Sequence, residues 1–237
     1  MLSLVTLVFA LILSSTLVST SPIARRTLSG VQTNCKKGYF ALTYDDGPYQ
    51  FTEELVDKLD AAGVKATFFV NGKNWWDIKT EPKASAAIQK AYKSGHQIAS
   101  HTYSHADLDS LDAQGVTAEM TNLEAALEKA IGVKPAFMRP PYGNSNSATT
   151  STLNSLGYTV VTWNVDSKDY ETHNIGDELT NYKNELGPIT GPGGIALEHD
   201  VYQQTVEELT DKAIDFVKEQ GYKFATVAEC FNEQPYQ

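Results

Sequence analysis

A single α/β domain whose parallel strands close into a barrel is the fold predicted by this 237-residue chain, on three observations. Short runs rich in β-branched and aromatic residues alternate six or seven times with longer amphipathic stretches, and strand-helix-strand repetition implies parallel strands with right-handed crossovers. Gly63, Gly95, Gly132, Gly157 and Gly221 each close a helical run just before a strand, where a residue of positive φ is wanted. No glycine-rich phosphate loop follows the first strand, as a dinucleotide-binding sheet would require. Polar clusters stand instead after strand upon strand, as in barrels that gather catalytic groups at their strand ends.

In chain order, residues 1–20 stand apart, with no charge, an apolar centre over 4–13 and small residues around Ser19 to Ser21. They read as a secretory signal peptide. A membrane anchor is the alternative, since about 20 apolar residues can span a bilayer, but Ser14, Ser15 and Thr16 interrupt the run and favour cleavage. Arg25-Arg26 resembles a dibasic processing site, which makes 21–36 a propeptide and N-terminal segment. The domain is then expected over 37–231, ahead of a short tail at 232–237. Its strand candidates are 39–44, 65–70, 97–100, 136–138, 159–165, 194–197 and 224–227. Helices fill the intervals: Val116, Met120, Leu123, Leu127 and Ala130 recur at steps of three and four, as do Val206, Leu209, Ala213 and Phe216.

Charge narrows the partner class. The formal charge is −10, and losing Arg25 and Arg26 with the leader makes it −12. Nucleic-acid binding needs a basic stripe, which is lacking, so a neutral polymer or small substrate fits better. Two cysteines, Cys35 and Cys230, lie near the two ends of the mature chain; in an oxidising compartment they suggest one bridge, against the alternative of two free buried thiols. Closing so long a loop stabilises by roughly 4 to 5 kcal/mol in the chain-entropy model.

The chemistry is concentrated at five strand ends: Asp45-Asp46, His101 with His105, Arg139-Pro140-Pro141-Tyr142-Gly143, Asp166-Ser167-Lys168-Asp169-Tyr170, and Leu197-Glu198-His199-Asp200. Each has a bland account. Asp-Asp-Gly-Pro is commonly a turn, His-X-X-X-His two surface imidazoles, Arg-Pro-Pro a rigid loop. Together, two adjacent carboxylates and a histidine pair are the parts of a metal-activated hydrolase, in which one aspartate binds the ion and its neighbour takes a proton from the bound water.

In order and separation these clusters resemble the motifs of the polysaccharide deacetylase family, the carbohydrate esterases that share their domain with rhizobial Nod-factor deacetylases, and most closely its secreted fungal chitin deacetylases. The resemblance covers nearly all of the mature chain and implies a distorted (β/α)7 barrel that removes acetyl groups from sugar polymers with one divalent metal. Carried over residue by residue, Asp46, His101 and His105 are implied as metal ligands and Asp45 as general base, with Arg139 pairing to it. The Tyr142 amide is implied as oxyanion donor, His199 as general acid with Asp169 its partner, and Leu197 as the lining of the acetyl pocket. Zinc is the metal expected; cobalt, manganese or nickel fit the same donors.

Two details depart from the commonest pattern. Tyr170 stands where many members have Trp, and Glu198 occupies a position usually smaller or apolar; strand alternation would point Glu198 away from the face of Leu197 and His199. Trp75 and Trp76 are candidates for a sugar platform, at most one ring stacking, against the alternative that both pack inward. His96 and His173 read as packing or surface histidines. The function implied is N-deacetylation of chitin, chitin oligosaccharides or related acetylated glycans by a secreted monomer, free of the membrane once the leader is cleaved. An acetylxylan esterase of the same family is the alternative enzyme, and a catalytically inactive sugar-binding wall protein the alternative outside enzymes.

Overall fold

The computed structural model describes residues 27–237, so the expected signal peptide and the expected processing site at Arg25-Arg26 lie outside the described residues. The strands are β1 (Val31–Gln32), β2 (Tyr39–Ala41), β3 (Thr43–Asp45), β4 (Thr67–Val70), β5 (Gln97–Ser100), β6 (Phe137–Met138), β7 (Thr159–Val161), β8 (Val165–Asp166), β9 (Gly194–His199) and β10 (Lys223–Phe224). The helices are α1 (Thr52–Ala61), α2 (Pro82–Lys93), α3 (Ala113–Ile131), α4 (Ser147–Ser155), α5 (Asp169–Thr172), α6 (Ile175–Glu185), α7 (Thr210–Glu219) and α8 (Val227–Phe231), with a wide π-turn at Thr205–Leu209 leading into α7. Among the described residues no helix is long and apolar enough to cross a membrane.

All pairings between these strands are parallel. The ladder runs from β3 through β4, β5 and β6 to β7, and β8, which continues the β7 segment, pairs with β9, which returns to β3. That return closes the barrel. β2 and β3 form one strand interrupted at Leu42, since both lie against β9 in a single register, Phe40 opposite Gly194 and Asp45 opposite His199. With β10 beside β2, seven strand segments make the expected distorted (β/α)7 build.

Alternation along the strands sorts side chains between two buried layers. Ala41, Phe69, Ala99, Phe137, Val161 and Ile195 form the core inside the barrel, while Phe40, Leu42, Phe68, Val70, Ile98 and Ala196 pack outward against the helices. Truncating Phe69 or Phe137 would open a cavity costing about 3–5 kcal/mol. The stripe read on α3 is buried at Val116, Met120, Leu123 and Leu127, and the five glycines ahead of strands all have positive φ.

Three expectations change in detail. The run at 159–165 is split, because Thr162 N–H donates to Gln32 O and Asn164 N–H to Ile195 O, so the chain changes neighbours between β7 and β8. The strand expected at 224–227 ends at Phe224, because Thr226 and Glu229 form a capping box that starts α8. β1, ahead of 37, pairs with β7, and beyond 231 Tyr236 bridges to Pro135.

Cys35 and Cys230 are disulfide-bonded with Cα atoms 4.7 Å apart. The bridge draws α8 over the end of the barrel where the strands begin. There Val227 N–H donates to Thr67 Oγ1 and Ala228 N–H to Gln97 Oε1, at 2.9 and 2.8 Å.

Candidate active site

The opposite end, where strands finish, receives the polar clusters. β3 delivers Asp45, only 2% exposed, and the chain then turns sharply at Asp46, φ 77. Thr102 and His105 also take positive φ, 71 and 57. Each such non-glycine residue costs about 1–2 kcal/mol, a strain typical of functional loops. Gly47 is required here for space: a Cβ would lie 2.2 Å from Asp200 Oδ2.

Asp46, His101 and His105 offer ligand atoms that all lie within 4.8 Å of one another. Asp46 Oδ1 is 3.2 Å from His105 Nε2 and 3.5 Å from His101 Nε2, yet it is buried without a hydrogen-bond partner. The His101 Nδ1–H donates to the Arg139 carbonyl at 2.7 Å, which leaves its Nε2 lone pair turned toward the triad. Burial holds His101 below its ordinary range, toward the uncharged ring that a metal ligand needs. Burial opposes ionisation of Asp46, but polar interaction with the adjacent His105, reinforced by the imidazoles around it, prevails and brings it to about 2. A carboxylate oxygen left unsatisfied beside two imidazole nitrogens fits a divalent cation of the zinc class.

Arg139, at the end of β6, is fully buried and grips the neighbouring aspartate. Its Nη1 donates to Asp45 Oδ1 at 2.8 Å and to Thr43 Oγ1 at 2.7 Å, while Nη2 donates to the Thr162 carbonyl at 3.1 Å. The guanidinium lies 4.2 Å over the Phe69 ring, so its plane is fixed as well. The other oxygen of Asp45, Oδ2, is 3.8 Å from His101 Nε2, on the side of the triad.

Across the rim, Asp169 at the start of α5 is fully buried beneath His199 at the end of β9. Its Oδ1 accepts from His199 Nδ1 and its Oδ2 from His199 N–H, each at 2.7 Å. Burial disfavours a charged His199, but the Asp169 carboxylate, helped by Asp46 and Asp45, outweighs it and lifts the imidazole to about 9. A cation on Asp46 would trim the share due to that aspartate. Ser167 ties the loop down, its Oγ donating to Leu197 O at 2.6 Å and accepting from Asp169 N–H. Tyr170 donates to Asp166 Oδ2 and stands edge-on to the His199 ring, centroids 5.4 Å apart.

These groups line one cavity of about 350 Å³. Asp45, Asp46, His101, His105, Tyr142, Tyr170, Leu197 and His199 all face it. Arg139 and Asp169 stand behind their partners. Tyr142 rises at the lip, 66% exposed, in a turn whose next two amides, Gly143 and Asn144, donate back to Pro140 and Pro141. Trp75 and Trp76 do not reach the cavity: Trp75 is 47% exposed, Trp76 packs against the core, and Tyr49 stands between them at 5.0 and 5.3 Å. Glu198 turns outward, buried against Tyr182 of α6 whose hydroxyl donates to it, and burial pushes it up to about 8. His96 is buried with Nδ1 accepting from Ala66 N–H, and His173 packs on Tyr202.

Two cavity walls escaped the sequence reading. Trp163 sits in the β7–β8 break and presses on Gly143, where a Cβ would meet its ring at 2.9 Å. Tyr202 follows His199 by three residues and packs on its ring at 5.7 Å. Aromatic content near a polar cluster was the available signal, but nothing in the local pattern separates these rings from core.

A parallel barrel with a two-histidine, one-carboxylate triad beside an Arg-held aspartate and an Asp-His pair has the build of a hydrolase. Known proteins place it within that class. Residues 32–161 match the family model described as polysaccharide deacetylase, and the chain belongs to that family. It is 46% identical over 196 residues to a chitin deacetylase of Pestalotiopsis sp, covering 82% of this chain and 64% of that protein. It is 39% identical over 224 residues to the chitin deacetylase of Colletotrichum lindemuthianum, covering 91% of this chain and 89% of that protein. The solved structure of a chitin deacetylase from Colletotrichum lindemuthianum superimposes with a TM-score of 0.85 at 38% identity, over 88% of this chain and 95% of that one.

Proposed function

We propose that this protein is a secreted, metal-dependent deacetylase that hydrolyses the N-acetyl groups of N-acetylglucosamine units in chitin or chitin oligosaccharides, acting as a monomer. One observation carries the reading: a single cavity is lined by the Asp46-His101-His105 triad, by Asp45 with Arg139 behind it, and by His199 with Asp169 behind it. The chitin deacetylases among the relatives favour chitin over acetylated xylan, for which support is weaker. A sugar-binding protein without catalysis would have no use for an unsatisfied Asp46 oxygen beside two oriented imidazoles.

Asp46, His101 and His105 would hold the cation, with zinc the ion proposed and cobalt or another transition metal compatible with the donors. When bound, it supplies Lewis acidity, polarising the acetyl carbonyl and lowering the pKa of a water. Asp45, oriented by Arg139, takes a proton from the attacking water as the water oxygen bonds to the carbonyl carbon. The Tyr142 amide donates to the carbonyl oxygen as negative charge grows there. Leu197 lines the methyl end of the acetyl group. The C–N bond then breaks, and an amine leaves only if protonated. His199 gives that proton from Nε2, the nitrogen opposite its bond to Asp169, releasing a glucosamine unit and acetate. Tyr170 contacts the substrate at the rim, and Trp75, the exposed member of the tryptophan pair, offers a stacking face for a neighbouring sugar.

The test is acetate release from chitin oligosaccharides. It should require the metal, stop with a chelator and return with added zinc. No release from chitin, xylan or peptidoglycan substrates under any of these conditions would overturn the enzymatic reading.

A further inference from the structure

Asp169 has three acceptor contacts of side-chain consequence, and only two come from His199. The third is the hydroxyl of Thr205, which donates to Asp169 Oδ2 at 2.8 Å and is fully buried. We infer that Thr205 is a positioning residue for the deacetylation reaction: it fixes the rotation of the Asp169 carboxylate and, through it, the proton-bearing edge of His199. This rests on the reading of His199 as the general acid.

The backbone explains why this threonine reaches the carboxylate. Thr205 opens the π-turn Thr205–Leu209, and the Thr205 carbonyl accepts from the Thr210 N–H five residues on. Such one-turn widenings of a helix recur at functional sites. The same carbonyl accepts from Thr210 Oγ1 at 3.0 Å, and the Thr210 hydroxyl in turn shares a hydrogen bond with the Tyr44 hydroxyl, 3.0 Å away. Tyr44 lies on β3 immediately before Asp45. The turn that carries Thr205 is therefore anchored to the strand that carries the proposed base.

The geometry also says what Thr205 controls. Asp169 Oδ2 accepts from both Thr205 Oγ1 and His199 N–H, and with that oxygen doubly held Oδ1 points at His199 Nδ1. A proton pinned at Nδ1 leaves Nε2 as the nitrogen that donates to the leaving amine. Without the Thr205 hydroxyl, Oδ2 loses the only one of these donors that does not belong to His199. The carboxylate can then rotate, and the imidazole follows.

Thr205→Val, Thr205→Ala and Thr205→Ser test this, with His199→Ala in parallel, on a chitin oligosaccharide and on 4-nitrophenyl acetate, whose leaving group needs no proton. Thr205→Val should lower kcat on the oligosaccharide about tenfold, within the usual share of general acid assistance, with KM nearly unchanged and little loss on the ester. Thr205→Ser should keep most of the activity. Thr205→Ala removes the same hydroxyl without setting a methyl against the carboxylate, and serves if the valine variant folds poorly. The downfield proton resonance of His199 Nδ1–H, recorded in the metal-free protein, should shift or broaden in Thr205→Val. An unchanged resonance, unchanged kinetics, or equal loss on both substrates would overturn the role of Thr205. Equal loss on both substrates in His199→Ala would instead overturn the acid reading, and the resonance separates the two failures.

Discussion

The two halves of the site hold their charges in opposite ways. On the β3–β5 side, Asp46 Oδ1 is buried and unpartnered, facing two imidazole nitrogens across 3.2 and 3.5 Å. On the β9 side, both oxygens of Asp169 are occupied and His199 is clamped through its ring and its backbone. A polar group left unmade in the interior is costly, whereas a saturated one rigidifies. The first half is built to receive something, and the second to keep a proton in one place. Proposed ligand and proposed acid are thus told apart by hydrogen-bond accounting, without reference to sequence.

Removing the receptive oxygen should have the largest effect. Asp46→Ala is expected to abolish acetate release and to reduce bound metal to background in a metal analysis of the purified protein. Retained metal with lost activity would mean that Asp45 is the ligand. Next comes Asp45→Asn, which should keep its metal while turnover falls by roughly two orders of magnitude or more, the scale of lost general base assistance. His199→Ala should follow, with a loss of about 10² on chitin oligosaccharides and a much smaller one on an activated ester; comparable losses would dissolve the distinction between the halves.

The smallest catalytic effect is expected at Glu198, which neighbours His199 in sequence but faces the helix layer. Glu198→Gln should leave kcat within about twofold, inside the range of substitutions remote from chemistry. Stability should respond instead. Burial raises Glu198 to about 8, so the folded state keeps a proton that the unfolded chain releases near its ordinary 4.5. The native protein should therefore lose stability as pH rises from about 4.5 through 8, and the glutamine variant should lose less. Denaturant melts of both proteins across that range give the answer. Parallel curves would show that Glu198 is already ionised in the fold.

How much of this was readable in sequence differs between the halves as well. Asp45-Asp46 and His101/His105 are legible because each pair is contiguous or nearly so, at the end of a strand whose alternation is clean. Barrel closure was legible from the repeat taken with the missing glycine-rich loop and the polar clusters at strand ends. Thr205 was not, since a threonine at the start of an amphipathic helix reads as a cap, and only the π-turn, which sequence does not announce, aims it at Asp169. Trp163 was hidden in a run that looked like one strand, because the change of neighbours at 162–164 depends on Gln32 and Ile195, far away in the chain. The helix at 227–231, by contrast, carries its own signal in Thr226-Val227-Ala228-Glu229, a capping box masked by the strand-like apolar run beside it.

Arg139 grips the site with both ends of itself: its guanidinium holds Asp45 and its own carbonyl holds His101. Asp45 on β3 and His101 after β5 are thus both referred to one residue, whose guanidinium is itself held by Thr43, the Thr162 carbonyl and the Phe69 ring. A shift of Arg139 would therefore disturb the proposed base and a proposed ligand together, so that one buried side chain couples the two.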